Sequence, residues 1–323
     1  MTKSQEQERR RALIVGGHGF IGGSLVRRLK SEGWHTIAID IKEYPYGKSP
    51  ADESLVEDIC KIPGDAFFPY NWNDFDRIYC LAANMGGAGH VFTGDNDADI
   101  LTDSLNINLH LLKELKKADY KGTIFYSSSV CCYPDGVPGV ESDAYPANPP
   151  SNYGWEKLTS ERLYLAYAKN YGIDVRIARF HNCFGPYGTY EGGREKSPAA
   201  ICRKVYKATD EIEIWGNGEQ LRPFIYIDDL LDGIEALMNY DYKEPVNLGP
   251  SEGITINELV DKVSTIAGKN LKKKYIEGPT GGAKRHANND LAQKVLDWKP
   301  KRDLTEGLVK TYRWISEQYA DKT

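Results

Sequence analysis

The feature that most constrains the fold is a glycine-rich turn near the start of the chain, Gly16-Gly17-His18-Gly19-Phe20-Ile21-Gly22. It follows a short apolar run, 12–15, which is typical of a buried strand. Apolar residues then recur at helical spacing from Leu25 to Leu29. Glycines at positions 16, 19 and 22 permit a tight turn and a close approach of the backbone to a ligand. The sequence therefore predicts a strand, a turn and a helix whose first amide groups can bind an anion.

The same alternation of strand and helix patterns continues through the first half of the chain. Apolar and helical periodicity predicts strands at 36–40, 76–83, 122–127 and 175–179, and helices around 105–115 and 153–170. Strands that alternate with helices form βαβ units and a parallel sheet. The predicted fold class is therefore α/β, with a Rossmann-type doubly wound parallel sheet.

After Phe184 the pattern changes, and a smaller, interleaved C-terminal substrate domain is predicted. Residues 185–196 form a long irregular loop, and loops of this length are usually functional. Residues 224–229 are expected to return the chain to the large domain. The predicted division is a nucleotide-binding domain at 12–180 with about 222–248, a substrate domain at 181–221 and 249–318, and a flexible arm at 1–11.

Charge and composition exclude several classes of function. The 323 residues carry a formal net charge of −5, so the chain has no basic field for nucleic acid. No apolar run approaches the roughly 20 residues that a membrane-spanning helix needs, and the charged N-terminus does not resemble a signal peptide. The six cysteines lack metal-binding spacing, which indicates reduced thiols, no metal site and a cytoplasmic location.

The glycine-rich turn predicts a dinucleotide as ligand, because backbone N–H groups and a helix N-terminus bind a pyrophosphate. Asp40 ends the second strand, 18 residues after Gly22. A carboxylate there can bond both ribose hydroxyls and repels a 2′-phosphate, so NAD is favoured over NADP. The predicted cofactor site consists of Gly16, Gly19, Phe20, Ile21, Gly22, Asp40, Asp58, Ile59, Leu81, Ala83, Tyr153 and Lys157.

Ser129, Tyr153 and Lys157 are predicted to oxidise an alcohol with a nicotinamide. The tyrosine and the lysine lie one helical turn apart. A free phenol titrates near about 10 and is a poor base at neutral pH, but a neighbouring ammonium stabilises the phenolate. The serine can share a hydrogen bond with the substrate hydroxyl. The alternative is a core tyrosine beside a surface lysine.

Cys131 and Lys196 are not needed for that oxidation and form a candidate acid/base pair. Burial and neighbouring charges can bring both a thiol and an amine toward neutrality. Such a pair can act on carbons beside a newly formed ketone. Taken alone, the cysteine is typical of a small buried thiol and the lysine of a solvated loop charge.

Six motifs carry a resemblance that covers nearly all of the chain, from Ala12 to about Glu317. They are Asn84-Met85-Gly86-Gly87, Ser128-Ser129-Val130-Cys131-Cys132-Tyr133-Pro134, Tyr153-Gly154-Trp155-Glu156-Lys157, Arg179-Phe180-His181-Asn182, Gly192-Gly193-Arg194-Glu195-Lys196-Ser197-Pro198-Ala199-Ala200 and Glu219-Gln220-Leu221-Arg222-Pro223-Phe224. With them, the chain resembles the extended short-chain dehydrogenase/reductase family and, within it, most the GDP-mannose 3,5-epimerases.

The resemblance implies an NAD-dependent epimerase that oxidises C4 of a GDP-hexose transiently and converts GDP-D-mannose to GDP-L-galactose or GDP-L-gulose. Tyr153 would take the C4 hydroxyl proton, and Cys131 and Lys196 would act on opposite faces of the ring at C3 and C5. The family usually has one cysteine followed by an aliphatic residue, whereas this chain has two. The spacing from Ser129 favours Cys131 as the acid/base cysteine, and Cys132 is the alternative.

The resemblance also implies a nucleotide-sugar site and a homodimer that pairs the helices around 105–115 and 153–170. The implied substrate-binding residues are Gly86, Gly87, Ser129, Asn182, Glu195, Lys196, Lys204, Gln220, Arg222 and Arg285. Arginine suits bidentate contact with phosphate. Two other hypotheses stay open: a nucleotide-sugar 4-epimerase or 4-reductase of the same family, and a non-catalytic NAD-binding module.

Overall fold

Strands and helices alternate along the chain in the computed structural model, which describes residues 10–62, 67–280 and 288–320. The strands are β1 (Arg11–Val15), β2 (His35–Asp40), β3 (Glu53–Val56), β4 (Arg77–Cys80), β5 (Thr123–Ser129), β6 (Asp174–Phe180), β7 (Asn182–Phe184), β8 (Glu211–Trp215), β9 (Leu221–Arg222), β10 (Phe224–Tyr226), β11 (Val246–Leu248), β12 (Ile254–Thr255) and β13 (Lys272–Ile276). The helices are α1 (Phe20–Ser31), α2 (Ala88–Val91), α3 (Asp97–Lys117), α4 (Asn152–Tyr171), α5 (Ser197–Lys207), α6 (Ile227–Met238), α7 (Ile256–Ile266), α8 (Asp290–Leu296) and α9 (Leu304–Ala320).

Seven parallel strands form the central sheet, in the order β11-β6-β5-β4-β1-β2-β3. The chain passes from β1 to β2 and β3 on one side, then crosses over β1 to continue with β4 on the other. This confirms the predicted α/β class with a Rossmann-type parallel sheet. Ligands of such sheets bind outside the carboxyl ends of the strands, at the point where the strand order reverses. That point lies at the ends of β1 and β4.

Both faces of the sheet are buried, as the apolar run of β1 shows. Ala12 and Ile14 pack into one hydrophobic core together with residues of α1 and α6. Leu13 and Val15 pack into a second core together with residues of α3 and α4. A strand that is apolar at every position is typical of a parallel sheet covered by helices on both sides.

Several predicted element ends are wrong. Arg11 opens β1 and so belongs to the sheet, while residues 1–9 of the predicted arm lie outside the described residues. The strand predicted at 76–83 ends at Cys80, because its pairing with β1 stops at Val15 and the chain then turns away at Gly16. The chain leaves the sheet after Cys80, and residues 81–83 border the larger cavity, which is described below.

The second half of the chain adds three two-stranded pairs: β7 with β10, β8 with β13, and β9 with β12. At 224–229, where the chain is expected to return to the large domain, β10 pairs with β7 and α6 begins at Ile227. Asp228 and Asp229 in its first turn favour a helix start there. β11, which follows α6, joins the central sheet beside β6. The exact division into two domains stays a prediction.

Within residues 10–62, 67–280 and 288–320, no helix is long and apolar enough to cross a membrane. In the same ranges, no three His, Cys, Asp or Glu side chains are grouped so that they could hold a metal ion.

Candidate active site

The larger cavity, about 970 Å³, lies along the carboxyl ends of β1, β2, β4 and β5. Its size is at the upper end of the range for small-molecule sites, which suits an extended ligand such as a dinucleotide. It is lined by all of the predicted cofactor residues, namely Gly16, Gly19, Phe20, Ile21, Gly22, Asp40, Asp58, Ile59, Leu81, Ala83, Tyr153 and Lys157.

The glycine-rich turn forms a cradle that side chains would fill. Gly16 has a φ of +84°, and a Cβ there would come within 2.7 Å of the backbone nitrogen of Ala82. α1 begins at Phe20, within the glycine-rich segment, with Gly19 as its N-cap, and no side chain caps it. The first amide groups of a helix without a capping side chain are available to an anion, so the turn fits a pyrophosphate.

Asp40, the last residue of β2, is oriented by hydrogen bonds from the backbone. Its carboxylate accepts hydrogen bonds from the backbone N–H groups of His18 and Lys42, each at 3.2 Å. The ring of His18 is itself held between the Lys42 carbonyl oxygen, at 2.6 Å, and the hydroxyl of Ser54, at 2.7 Å. An oriented carboxylate at this strand end suits the ribose hydroxyls and repels a 2′-phosphate, so the residues fit NAD.

A smaller cavity of about 280 Å³ adjoins the first. The predicted substrate residues that line it are Gly86, Gly87, Ser129, Asn182, Glu195, Lys196, Lys204, Gln220 and Arg222. Arg285, the remaining one, lies outside the described residues. Six residues line both cavities and are called the junction below: Met85, Ser129, Tyr153, Phe180, His181 and Lys196.

The predicted alcohol-oxidising trio lies at and beside the junction. Ser129 ends β5, and Tyr153 lies in the first turn of α4, which the side chain of Ser151 caps by accepting from Gly154. Lys157 lies one turn further along α4, with its Nζ 5.6 Å from the centre of the Tyr153 ring. An ammonium at this distance favours the phenolate, so the trio can accept a proton from an alcohol.

Lys157 is paired with a buried carboxylate, Glu156, that was not predicted as a site residue. Glu156 is fully buried, and its Oε2 lies 3.3 Å from Lys157 Nζ. Its Oε1 accepts a hydrogen bond from Ser160 at 2.8 Å, while Lys157 also donates to the hydroxyl of Tyr126 at 3.4 Å. In the sequence, the one indication that Glu156 belongs to the site is its position next to Lys157. The structure shows that several residues around it on α4 are buried.

The two adjacent thiols are in different environments. The short 3-10 helix Val130–Cys132 follows β5 and begins with Ser129 Oγ accepting from the backbone of Cys131 at 3.2 Å. Cys131 is half-buried and lines the smaller cavity. Cys132 is fully buried in a small apolar cluster, and this burial raises its pKa well above the ordinary range. Of the two, only Cys131 borders a cavity that a substrate can enter.

Lys196 is held at the junction by the loop that precedes α5. It is the N-cap residue of α5, and the carboxylate of Glu195 before it pairs with Arg203 at 2.7 Å. The backbone N–H of Gly87 donates to the carbonyl of Arg194 at 3.0 Å. A Cβ on Gly87 would come within 2.2 Å of the Glu195 carbonyl oxygen. The Gly86-Gly87 turn therefore packs directly against the loop that carries this lysine.

Two cations line the smaller cavity. Arg222 is buried and donates to the carbonyl oxygen of Thr280 at 2.8 Å. Lys204 donates to the carbonyl oxygen of Glu213 at 2.9 Å, and burial lowers the pKa of this lysine. Because guanidinium and ammonium groups bind phosphate oxygens, the smaller cavity suits a diphosphate.

Two amide side chains complete the lining. Asn182 donates to the carbonyl oxygen of Pro223 at 3.3 Å, and Gln220 donates to that of Trp215 at 3.0 Å. The Oε1 atom of Gln220 is buried and has no hydrogen-bond partner among the described residues.

His181 also belongs to the junction but was not predicted as a site residue. A polar residue at the end of a buried strand was a signal for it in the sequence.

A family model described as the NAD dependent epimerase/dehydratase family matches residues 12–249, so the chain belongs to that family and is an enzyme whose cofactor is NAD. The match covers the glycine-rich turn, the trio and the loop that carries Lys196. It confirms the predicted cofactor class.

The chain is 38% identical to GDP-mannose 3,5-epimerase 1 of Oryza sativa subsp. indica, over 96% of its own length and 83% of the relative's. It is also 38% identical to GDP-mannose 3,5-epimerase of Arabidopsis thaliana, over 94% of its length and 82% of the relative's. These relatives confirm the resemblance that the motifs predicted. In fold, it is similar to UDP-glucose 4-epimerase from Thermotoga maritima, with a TM-score of 0.84, 24% identity and coverage of 96% and 99% of the two chains.

Proposed function

We propose that the protein is a GDP-mannose 3,5-epimerase, which converts GDP-D-mannose to GDP-L-galactose or GDP-L-gulose. The observation that carries this proposal is the lining of the smaller cavity: Cys131 and Lys196 border the same space as Ser129 and Tyr153. A simple alcohol oxidation uses only the trio, whereas inversion of carbon centres needs a further acid and base. The relatives that bear this enzyme name match nearly the whole chain.

Bound NAD⁺ supplies a reversible oxidation at C4 of the hexose, which makes the hydrogens on C3 and C5 acidic. Tyr153 accepts the proton of the C4 hydroxyl and later returns it. Ser129 holds that hydroxyl by a hydrogen bond, and the ammonium of Lys157 stabilises the phenolate. The buried positions of all three support these roles, because water does not then compete for the same hydrogen bonds.

Cys131 and Lys196 act as the acid/base pair at C3 and C5. Inversion requires one group to remove a proton from one face of the ring and another group to return a proton on the opposite face. The two residues come from different elements, the 3-10 helix after β5 and the N-terminus of α5, which supports an arrangement on two sides of the sugar. Arg222 and Lys204 bind the diphosphate.

The decisive experiment is incubation of the purified protein with GDP-mannose in D₂O, followed by NMR. We expect deuterium at C3 and C5. Turnover without deuterium at these carbons would instead identify a 4-epimerase or 4-reductase that uses the trio alone. Absence of turnover with any of a panel of GDP-hexoses would favour a non-catalytic NAD-binding module.

Cys131→Ser and Cys132→Ser form a matched pair for the thiol. We expect Cys131→Ser to reduce exchange at C3 and C5 by about 10²-fold or more, because general acid–base catalysis contributes factors of this size. Reduction of bound nicotinamide on addition of substrate should survive in this variant. Loss of exchange in Cys132→Ser, with exchange retained in Cys131→Ser, would show that the wrong thiol is assigned.

Two further proposals concern the whole protein. We infer a homodimer that pairs α3 and α4, supported by the family resemblance and by Trp155 of α4, whose indole is 40% exposed. A species of monomer mass in sedimentation velocity would contradict it. A cytoplasmic location is supported by the six cysteines, all of them free thiols in the structure; fluorescence microscopy of the tagged protein tests it.

A further inference from the structure

The short segment that carries Cys131 is not held by the central sheet. Ser129, at the end of β5, is a register partner of Phe180 at the end of β6, so strand pairing fixes it. Cys131 lies beyond the strand, in the single turn of 3-10 helix Val130–Cys132. Tyr133 closes this turn, because its backbone N–H donates to the first residue of the helix at 3.3 Å. The position of the thiol therefore depends on how both ends of the turn are held.

The side chain of Tyr133 fixes the second end of the turn. It is buried, and its hydroxyl donates to Oδ1 of Asn247 at 2.6 Å and accepts from Nη1 of Arg179 at 3.0 Å. Its ring packs with Leu158 of α4 in a small apolar cluster. The phenol thus has both a polar and an apolar anchor.

The two partners of the phenol are themselves held in place. Asn247 is fully buried in β11, and its Nδ2 donates to the carbonyl oxygens of Gly139, at 2.8 Å, and Asn288, at 2.9 Å. Arg179 of β6 donates to both carboxylate oxygens of Glu161 on α4. A buried network whose members are all paired is rigid and directional. Through it, the turn is tied to two strands of the central sheet and to α4.

Cys131 is on the other side of the turn, against the site. It packs in an apolar cluster with Phe92 and Tyr153, whereas Cys132 packs in the cluster that contains Tyr133. The carbonyl oxygen of Cys131 also abuts the first turn of α4, where a Cβ on Gly154 would come within 2.2 Å of it. A displacement of Tyr133 would therefore move the thiol relative to the phenol of Tyr153.

We propose that Tyr133 is a positioning residue for proton transfer at C3 and C5, because its hydroxyl holds the turn that presents Cys131. This inference rests on the proposed function. Tyr133 lines neither cavity, so it acts through the thiol and does not touch the substrate. Proton transfer needs heavy atoms about 2.6–3.2 Å apart, and a misplacement of about 1 Å can cost about 10²-fold. Hydride transfer relies on Ser129, which strand pairing holds, and should depend much less on Tyr133.

Tyr133→Phe tests the inference, because it removes both hydrogen bonds and keeps the ring and the Arg179–Glu161 ion pair. Two rates are measured on the NAD-loaded enzyme with GDP-mannose: deuterium exchange at C3 and C5 by NMR, and reduction of the bound nicotinamide after mixing. We expect exchange to fall at least 10-fold and reduction to stay within about 2-fold of the wild type. Asn247→Ala removes the acceptor of the same hydrogen bond and should give the same split. It carries the test if the phenylalanine variant does not fold.

Tyr120→Phe is the matched control. Tyr120 is also buried, its hydroxyl donates to the carbonyl oxygen of Thr123 at the amino end of β5, and it borders neither cavity. Both of its rates should equal those of the wild type. Unchanged exchange in Tyr133→Phe, or an equal loss of exchange and reduction, would overturn the inference while the proposed function stands. Turnover of the wild type without exchange at C3 and C5 would instead overturn the proposed function, and this inference with it.

Discussion

A buried carboxylate next to Lys157 modifies the electrostatics of the candidate trio. Glu156 lies 3.3 Å from the ammonium, and neither side chain is accessible to bulk water. Opposite charges this close reduce the positive potential that the lysine exerts on the phenol of Tyr153. Other titratable groups near the pair are the phenols of Tyr126 on β5 and Tyr164 on α4 and the thiol of Cys80 on β4. All three are buried, and burial raises the pKa of each above its ordinary value, so they remain neutral.

Glu156→Gln should move the acid limb of the pH–rate profile to lower pH. The amide has nearly the same shape but no charge, so the field of Lys157 at Tyr153 is no longer partly cancelled. The phenolate then persists at lower pH. The measurement is the rate of nicotinamide reduction on mixing with substrate, as a function of pH.

A suitable control is Glu114→Gln, since Glu114 lies on α3 and pairs with the exposed Lys117. Its profile should match that of the wild type. A shift of the Glu156→Gln profile to higher pH would mean that the unpaired lysine has lost its own proton, and the assigned role would be wrong.

At the scale of elements, the contact between the Gly86-Gly87 turn and the loop before α5 positions Lys196. The two segments are more than 100 residues apart in sequence, yet Gly87 donates a backbone hydrogen bond to Arg194 and leaves no space for a Cβ. Close approach of this kind is one of the few places where only glycine fits. The paired glycines were selected from the sequence as substrate-facing, but their packing against the loop was not foreseen, because it depends on a long-range contact.

Gly87→Ala should lower deuterium exchange at C3 and C5 by at least 10-fold, because the loop must move and Lys196 follows it; a misplaced catalytic group commonly costs about 10²-fold. NAD affinity should fall much less, since the glycine-rich turn and Asp40 line the larger cavity from outside this loop. Gly89→Ala is the comparison, because a Cβ there meets the Trp215 ring at an ordinary 3.6 Å. Similar losses in both variants would argue against the loop contact.

At the scale of the whole molecule, the site depends on neighbouring strands whose carboxyl ends lie at the same edge of the sheet. Ser129 and Phe180 are register partners at the ends of β5 and β6, and the chain beyond each strand enters the site. A buried ion pair lies directly behind this edge: Arg179 of β6 donates to both carboxylate oxygens of Glu161 on α4, at 2.8 and 2.7 Å. Breaking such a pair typically costs about 3–5 kcal/mol, because one charge is left buried and unpaired.

The buried His181 makes the stability of the fold depend on pH. Its pKa is lowered to about 3 in the folded protein, against about 6.5 in an unfolded chain. Between these values the unfolded state binds a proton that the folded state does not. This contribution to stability is therefore complete above about pH 6.5 and is lost as the pH falls.

His181→Phe should reduce this acid sensitivity. Below about pH 6.5 the wild type should lose stability relative to the variant by up to about 1.4 kcal/mol for each pH unit. The measurement is the denaturant midpoint of each protein at neutral and mildly acidic pH. A difference between wild type and His181→Phe that does not change with pH would contradict the prediction.

The amino-acid sequence by itself determined the fold class, the cofactor class and the family, because these depend on local patterns: an apolar strand, three spaced glycines, an acid at a strand end and a tyrosine one helical turn from a lysine. The tertiary structure decided what local patterns do not contain. It separated Cys131 from Cys132, whose neighbours in sequence are nearly identical but whose burial differs, and it brought Glu156 and His181 to the site. Burial and pairing depend on residues far apart in the chain, so these distinctions appear only when the sheet and its loops are assembled.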